Sequence, residues 1–437
     1  MTVFVLAVVA LAVLLLLALV HRWLWARLVR DTTRPGGVTR RAGTVLAFAL
    51  PVLAVAALVA GHAGAPFWLQ RAVAWPGFMW LAVLLYLTMA MLVAEPVRRL
   101  WLRRIAARTP APAPEPVPAA ASPEPRPFPT PAPAPAWAPA PAPAPEPEPG
   151  PEPRAEPAPA PAEITRRRFV ARTVGGAAAA AALATVGAGT YGVLRGPRVK
   201  RVQVPLAKLP RAAHGFRIAV VSDVHLGPIL GRAHTARIVE TVNRTQPDLI
   251  AVVGDLVDGT VHDLGPAAEP LRGLRARHGS FFVTGNHEYF SGAEQWIDHV
   301  RELGLQPLEN ARRALPYFDL AGVNDVQGES EGHGPDFQAA LGDRDRSRTA
   351  VLLAHQPIVI HDAVRHGVDL QLSGHTHGGQ LWPGNYIAEL ANPTVAGLER
   401  YGDTQLYVSR GAGAWGPPVR VSAPSDITVV ELASYQA

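Results

Sequence analysis

The sequence predicts an α/β domain in residues 199–437, preceded by an N-terminal helical membrane region in residues 1–108. Two observations predict this division. After residue 199, short runs of apolar and β-branched residues alternate with helical patterns, as in a sheet whose strands are buried. Before residue 195, long apolar stretches raise the hydrophobic share of the 437-residue chain to 49%, and such stretches are typical of membrane helices.

The charge and the cysteine content narrow the class of protein. The formal net charge is +6, and many of the arginines flank the apolar stretches, which favours a membrane explanation of the charge over nucleic-acid binding. The C-terminal domain has no basic stripe interleaved with aromatic residues, so we expect no nucleic-acid partner. The chain has no cysteine, which excludes disulfides, thiolate metal sites and cysteine nucleophiles.

Three transmembrane helices are predicted in residues 1–108. The apolar segments are residues 3–20, 44–60 and 78–94, each long enough to span a bilayer. Arginine-rich segments follow the first and the third, and the positive-inside rule places both in the cytoplasm. A cleaved signal peptide is the alternative for the first segment, but two further apolar segments follow it.

A linker and a second apolar segment separate this region from the α/β domain. Residues 109–163 are mainly Pro, Ala and Glu, which predicts a disordered, extended spacer rather than a packed core. Residues 164–195 contain the sequence T-R-R-R-F-V from Thr165, followed by Ala- and Gly-rich apolar sequence. This pattern is similar to a twin-arginine export signal, and a fourth membrane span is the alternative. Both interpretations place the α/β domain on the extracytoplasmic side.

Polar groups able to bind a metal follow five of the apolar runs in the α/β domain. The groups are D-V-H from Asp223, G-D-L-V-D from Gly254, G-N-H-E from Gly285, the single His355, and G-H-T-H from Gly374. Ligands bind at the carboxyl ends of the strands in such sheets, so we expect these side chains to lie close together. For any one group alone, a cap, a turn or a buried histidine is the simpler interpretation, but five together predict a metal site.

These motifs, in this order, resemble those of the calcineurin-like metallophosphoesterase family. The resemblance covers roughly residues 216–382, and the longer G-H-T-H-G-G-Q motif with the export-type leader resembles the membrane-associated or exported branch. The resemblance implies a four-layer α/β/β/α sandwich with two metal ions at the sheet edge. Imidazole, carboxylate and amide ligands without thiolate suit Mn, Fe, Zn, Co or Ni, and the sequence does not choose among them.

The resemblance also implies a role for each matching residue. The implied ligands are Asp223, His225 and His377 for one ion, Asn286, His355 and His375 for the other, and Asp255 as a bridge between both. His287 resembles the non-ligand catalytic histidine of the family, which would protonate the leaving alkoxide. Asp258 is interpreted as orienting a ligand or a loop, with a helix cap as the alternative.

Together these features predict a membrane-tethered, extracytoplasmic, dinuclear-metal phosphoesterase. Membrane tethering argues for a phosphodiester or pyrophosphate substrate at the bilayer, such as a phospholipid or a lipid-linked compound, although a cell-wall polymer or a soluble nucleotide would fit the same site. The alternative is a membrane sensor or scaffold whose phosphoesterase-like domain binds a ligand without turnover. The intact ligand set argues against this alternative. The sequence determines neither the native metal nor the oligomeric state.

Overall fold

The computed structural model describes residues 2–61, 63–108 and 161–435. Most of the predicted linker, residues 109–163, therefore lies outside the described residues. Its last three positions belong to a helix that begins at Pro161, so the helical segment starts slightly earlier than the predicted boundary at residue 164.

Within the described residues, four long apolar helices precede the α/β domain. They are α1 (Thr2–Trp25), α2 (Val38–Val59), α3 (Phe67–Arg108) and α4 (Pro161–Leu194). By length and composition, each is able to cross a membrane. The predicted apolar segments 3–20, 44–60 and 78–94 fall on α1, α2 and α3, and residues 164–195 fall on α4.

The helices α3 and α4 pack against each other and against the first helix. An apolar cluster joins Leu24 of α1, Leu87 and Met91 of α3, and Ala178 and Val186 of α4. Small residues allow close approach: Gly77 of α3 lies so near the backbone of α2 that a Cβ there would collide with it. Contacts of this kind are how apolar helices associate when lipid surrounds them.

The α/β domain begins with an edge strand and alternates short strands with helices. Its strands are β1 (Arg198–Leu206), β2 (Phe216–Val221), β3 (Leu249–Val253), β4 (Ser280–Val283), β5 (Gln306–Pro307), β6 (Ala311–Ala314), β7 (Asp319–Gly322), β8 (Ala350–Leu353), β9 (Leu370–Ser373), β10 (Gly397–Tyr401), β11 (Thr404–Val408) and β12 (Asp426–Ser434). Its helices are α5 (Arg232–Arg244), α6 (Val261–Ala268), α7 (Asn286–Ser291), α8 (Ala293–Glu302), α9 (Phe337–Leu341), α10 (Ile360–Arg365) and α11 (Gly384–Ala391).

The described strands form two six-stranded mixed sheets. The strand order is β1-β12-β2-β3-β4-β5 in the first sheet and β10-β11-β9-β8-β7-β6 in the second. A fully buried core that includes Ile218, Phe281, Phe318 and Leu353 fills the space between the sheets. The outer face of the first sheet is covered by α5, α6 and α8, and that of the second by α9 and α10. The predicted four-layer α/β/β/α sandwich is confirmed.

Five parallel strands position the motifs that the sequence analysis singled out. In the first sheet β2, β3 and β4 are mutually parallel, and in the second β8 and β9 are parallel. These are the apolar runs predicted as buried strands, and each motif follows the carboxyl end of its strand. Because the two sheets pack face to face, the loops after these five strands meet at one edge of the sandwich.

Candidate metal centre

Histidine and aspartate side chains from these loops converge in three overlapping groups among the described residues. The groups are Asp223, His225 and His377; His225, Asp255 and His287; and Asp255, His355 and His375. Within each group the potential ligand atoms lie within 4.8 Å of one another. The structure therefore brings together every histidine and aspartate for which the sequence implies a role as a metal ligand or as the catalytic acid.

The backbone at this site is held in an unusual conformation. Five of the clustered residues have positive φ angles: Asp223 (53°), His225 (48°), Asp255 (52°), His375 (72°) and His377 (53°). The left-handed region is sparsely populated by residues other than glycine, and such conformations persist where the surrounding structure over-determines them, typically at functional sites. The strained backbone therefore lies in the same loops that carry the clustered histidine and aspartate side chains.

In the first group, two imidazoles face each other beside a carboxylate. His225 Nε2 and His377 Nε2 lie 2.9 Å apart, and His377 Nε2 lies 3.4 Å from Asp223 Oδ1. All three residues are buried. Two ring nitrogens and a carboxylate oxygen aimed at the same buried point are a donor set that suits a borderline divalent cation.

In the third group, one imidazole nitrogen is buried without a hydrogen bond. His355 Nδ1 lies 2.9 Å from the carbonyl oxygen of Val253, to which it donates as N–H. His355 Nε2 has no hydrogen-bond partner in the described part of the chain, although it lies 3.1 Å from Asp255 Oδ2. Burial alone would lower the pKa of His355, but Asp255 outweighs burial and raises this pKa well above its usual value, so at neutral pH the metal-free ring carries a proton on Nε2 as well. Once that proton has left, a histidine whose Nδ1–H is held by a carbonyl presents the lone pair of Nε2, as metal-ligating histidines do. The donor set therefore fits a metal ion.

Asn286 and His375 complete this group. Asn286 is the first residue of α7, and its Oδ1 lies 3.0 Å from His375 Nδ1. Burial lowers the pKa of His375 to about 4, and the neighbouring His355 acts in the same direction. A neutral imidazole is the form that binds a metal.

Asp255 lies between the two outer groups. Its Oδ2 is 3.1 Å from His355 Nε2 and 3.7 Å from His225 Nε2, and its Oδ1 accepts the backbone N–H of His287 at 3.0 Å. Burial alone would raise the pKa of Asp255, but the nearby His355 and His225 outweigh burial and hold this pKa well below its usual range. The carboxylate is therefore ionised and accessible to both groups.

Asp258 orients two of the histidines at once. Its Oδ1 lies 2.8 Å from His225 Nδ1 and 2.7 Å from His287 Nδ1. Burial favours the protonated acid, yet His225 and His287 lower the pKa of Asp258 to about 2. As an anion it accepts hydrogen bonds from both rings, which agrees with the sequence-based interpretation that this residue orients a ligand.

Two buried residues, Glu288 and Arg420, support the site although no role was predicted for them from the sequence. Glu288 accepts the backbone N–H groups of Asp255, Leu256 and Gly285 at 2.9, 2.7 and 2.6 Å, and thereby fixes the turn that carries Asp255. Burial, with the adjacent Asp255, raises the pKa of Glu288 to about 7. The position of Glu288 directly after Asn286 and His287 in the G-N-H-E motif is the feature of the sequence that could have indicated this role.

Arg420 is the second of these supporting residues. It is buried, and it donates to the carbonyl oxygens of Gly413 at 2.7 Å and His377 at 3.0 Å. Its Nη2 also lies 3.0 Å from His377 Nδ1. No local pattern around Arg420 indicated this role, because its partners are distant in sequence.

Exposed aromatic residues flank the candidate catalytic histidine. The ring centroid of His287 lies 5.5 Å from that of Phe290 and 5.8 Å from that of Trp415. Phe290 is 60% exposed and Trp415 is 55% exposed. The polar centre therefore has an apolar rim on the His287 side.

Comparison with known proteins identifies relatives of the α/β domain. Residues 216–379 match the family model described as calcineurin-like phosphoesterase. The chain is 40% identical over 250 residues to a transmembrane protein with metallophosphoesterase domain from Danio rerio, covering 54% of this chain and 57% of that protein. It is 34% identical over 240 residues to an uncharacterised metallophosphoesterase of Aquifex aeolicus, covering 54% of this chain and 91% of that protein.

A solved structure also matches part of the chain. It is a dimetal phosphatase from Danio rerio, 13% identical, covering 50% of this chain and 93% of that chain, with a TM-score of 0.34. The chain spans little more than half the length of the transmembrane Danio rerio relative described above.

We expect the affinity of the metal-free chain for Mn²⁺ to rise between pH 6 and pH 8. Burial alone would lower the pKa of His225, but Asp258 outweighs burial and raises it to about 9, so in this range the ion must displace a proton. The affinity should rise about tenfold per pH unit for each proton displaced. Calorimetric titration in two buffers of different ionisation enthalpy measures the affinity and the number of protons displaced. A pH-independent affinity would contradict the pairing of His225 with Asp258.

Replacing Asp258→Asn should weaken Mn²⁺ binding by about 10- to 100-fold when affinities are compared above the pKa of His225, where no proton competes with the ion, because the candidate ligand His225 loses the anion that orients its ring. Asp403→Asn is the matched control, since that carboxylate is fully exposed in the turn between β10 and β11. The dissociation constant of each variant is measured under identical conditions. Equal affinities for the Asp258 variant and the unmodified chain would show that Asp258 does not orient a ligand.

Proposed function

This chain belongs to the calcineurin-like metallophosphoesterase family, and we propose that it is a membrane-tethered, dinuclear-metal phosphoesterase. It hydrolyses phosphodiester or pyrophosphate bonds on the extracytoplasmic side of the membrane. The observation that carries the proposal is the convergence of the loops after β2, β3, β4, β8 and β9, with their histidine and aspartate ligand atoms within 4.8 Å in each group.

The two groups of ligands on either side of Asp255 support a site for two ions. The proposed ligands are Asp223, His225 and His377 for one, Asn286, His355 and His375 for the other, with Asp255 shared. When bound, two divalent cations supply Lewis-acid polarisation of the phosphoryl group and lower the pKa of an attacking water. The ligand types suit Mn, Fe, Zn, Co or Ni.

His287 is the proposed general acid. Its Nδ1 is 2.7 Å from the Asp258 carboxylate, which fixes the orientation of the ring. The side chain is 16% exposed and lies at the opening between Phe290 and Trp415. A proton carried on Nε2 can then be given to the leaving alkoxide as the phosphorus–oxygen bond breaks.

The arginine distribution on α3 and α4 supports the extracytoplasmic location. Arg98, Arg99, Arg103 and Arg104 lie near the end of α3, and Arg166 to Arg168 lie near the start of α4. These two helix ends would both be cytoplasmic by the positive-inside rule. The α/β domain, which follows the opposite end of α4, would then be outside. A twin-arginine-type role for residues 164–195 is compatible with the same topology.

Membrane tethering favours a substrate at the bilayer, such as a phospholipid or a lipid-linked phosphodiester or pyrophosphate. The apolar rim formed by Phe290 and Trp415 supports this class, because their exposed rings can lie against acyl chains or prenyl groups.

We expect the full-length chain, stripped of metal in detergent, to hydrolyse bis(p-nitrophenyl) phosphate when Mn²⁺ is added. Asp255→Asn should reduce turnover at least about 100-fold, equivalent to about 2.7 kcal/mol of transition-state stabilisation, because the shared ligand is lost. Asp403→Asn is the matched control and should leave turnover unchanged. Metal binding without turnover of any ester would instead support the sensor or scaffold alternative.

Substituting His287→Asn should slow hydrolysis in a way that depends on the leaving group. Esters with an alkyl leaving group should lose about 10²- to 10⁴-fold in rate, the usual contribution of a general acid. Esters of p-nitrophenol should lose less, because p-nitrophenolate leaves without a proton. The comparison uses glycerophosphocholine and bis(p-nitrophenyl) phosphate, with the exposed His262→Asn as control. Equal losses on both substrates would exclude His287 as the acid.

A further inference from the structure

Helix α11 presents an apolar face to the surface next to the candidate metal centre. Tyr386, Ile387 and Leu390 are 58%, 71% and 88% exposed. Their spacing places them on one side of the helix. Trp382, directly before the helix, is 42% exposed, and α11 has no buried residue. A contiguous exposed apolar surface of this kind marks an interaction site.

This surface is connected to the rim of the metal centre by direct contacts. The Trp415 ring meets the His287 ring edge to face, and the backbone N–H of Trp415 donates to Gln380 Oε1 at 3.0 Å. The Gln380 side-chain amide in turn donates to the carbonyl oxygen of Trp415 at 2.9 Å. Gln380 lies two residues before Trp382 and three residues after His377. The exposed face of α11 and the opening of the metal centre therefore belong to one continuous region.

The same region is attached to the apolar helices of the N-terminal part. Tyr86 of α3 donates its hydroxyl to the carbonyl oxygen of Trp382 at 3.0 Å. The Phe78 ring of α3 lies 3.7 Å from where a Cβ on Gly416 would be. Leu381 packs against the apolar cluster of these helices, which includes Val186 of α4. The segment before α11 is thus held against candidate membrane spans.

The position of these contacts along α3 gives their expected depth in the bilayer. Arg98 follows the apolar stretch of α3 and is the proposed cytoplasmic boundary. At 1.5 Å per residue, Tyr86 lies about 18 Å and Phe78 about 30 Å from Arg98 along the helix. The hydrocarbon core of a bilayer is about 30 Å thick. Gly416 would therefore lie at the far boundary of the core and Trp382 inside its outer half.

We propose that the apolar face of α11, together with Trp382, inserts into the leaflet next to the α/β domain and is a membrane-docking surface of the metal centre. An in-plane amphipathic helix binds a bilayer by burying its apolar face at the level of the headgroups and upper acyl chains. This placement brings the metal centre to phosphate esters at headgroup depth. The inference rests on the membrane location proposed above.

The absence of cysteine from the sequence allows a direct test on the 437-residue chain. Leu390→Cys introduces a single thiol on the apolar face, and Glu389→Cys introduces one on the adjacent polar side of the same helix. Arg244→Cys is the distant control: α5 runs from the carboxyl end of β2 to the amino end of β3, so this 62% exposed side chain lies at the opposite edge of the sheet. Each thiol is labelled with a polarity-sensitive nitrobenzoxadiazole probe in phosphatidylcholine–phosphatidylglycerol vesicles.

Doxyl-labelled lipids in the same vesicles should quench the probe at position 390 at least about twofold more than the probes at 389 and 244, and its emission should shift to the blue. Water-like emission at 390, equal to that at 244, would overturn the proposal. Blue-shifted emission without lipid quenching would also overturn it, because it would indicate a protein partner or a second copy of the chain.

The probe measurement tests membrane docking of α11 independently of the proposed catalytic function. Probe quenching does not depend on turnover, so a chain that hydrolyses no ester still reports whether α11 contacts lipid. Vesicle flotation of the same samples tests the membrane tether, and a chain that does not float would overturn both the location and the docking surface. Leu390 is 88% exposed, so its replacement creates no cavity, and near-UV circular dichroism of the labelled variants checks that they are folded.

Discussion

The close contact between Asp255 and His355 is the interaction on which the site depends. Asp255 follows β3 of the first sheet and His355 follows β8 of the second, and their side chains approach to 3.1 Å. His355 also donates to the carbonyl oxygen of Val253 at the end of β3. The two sheets are therefore tied together at the edge where their parallel strands end. Each group of candidate ligand atoms includes side chains from both sheets, so a displacement of one sheet would pull both groups apart.

The charges at this edge are stabilised by a second set of buried groups. Asp258 holds the rings of His225 and His287, while Glu288 holds the backbone of the turn that carries Asp255. Burying several carboxylates is costly unless each is paired or hydrogen-bonded. Here each acquires partners from neighbouring loops, and Glu288 also holds the backbone of Asp255, whose φ angle is positive.

The N-terminal helices and the α/β domain share one surface near the metal centre. Tyr86 and Phe78 of α3 contact the segments that contain Trp382 and Gly416, and Trp415 reaches His287. These segments also carry exposed aromatic and aliphatic side chains. The segments that attach the α/β domain to the helices therefore also form the apolar rim of the opening. This shared structure couples the orientation of the site to that of the helices.

The sequence by itself determined the α/β class, the buried strands and the loops that carry the candidate histidine and aspartate ligands. These properties are local: strand patterns depend on a few adjacent residues, and metal-binding side chains are recognisable by type. The tertiary structure alone decided the contact of Arg420 with His377, the three backbone hydrogen bonds of Glu288 and the exposure of Leu390. Each of these depends on how distant loops pack against one another, which no local pattern encodes.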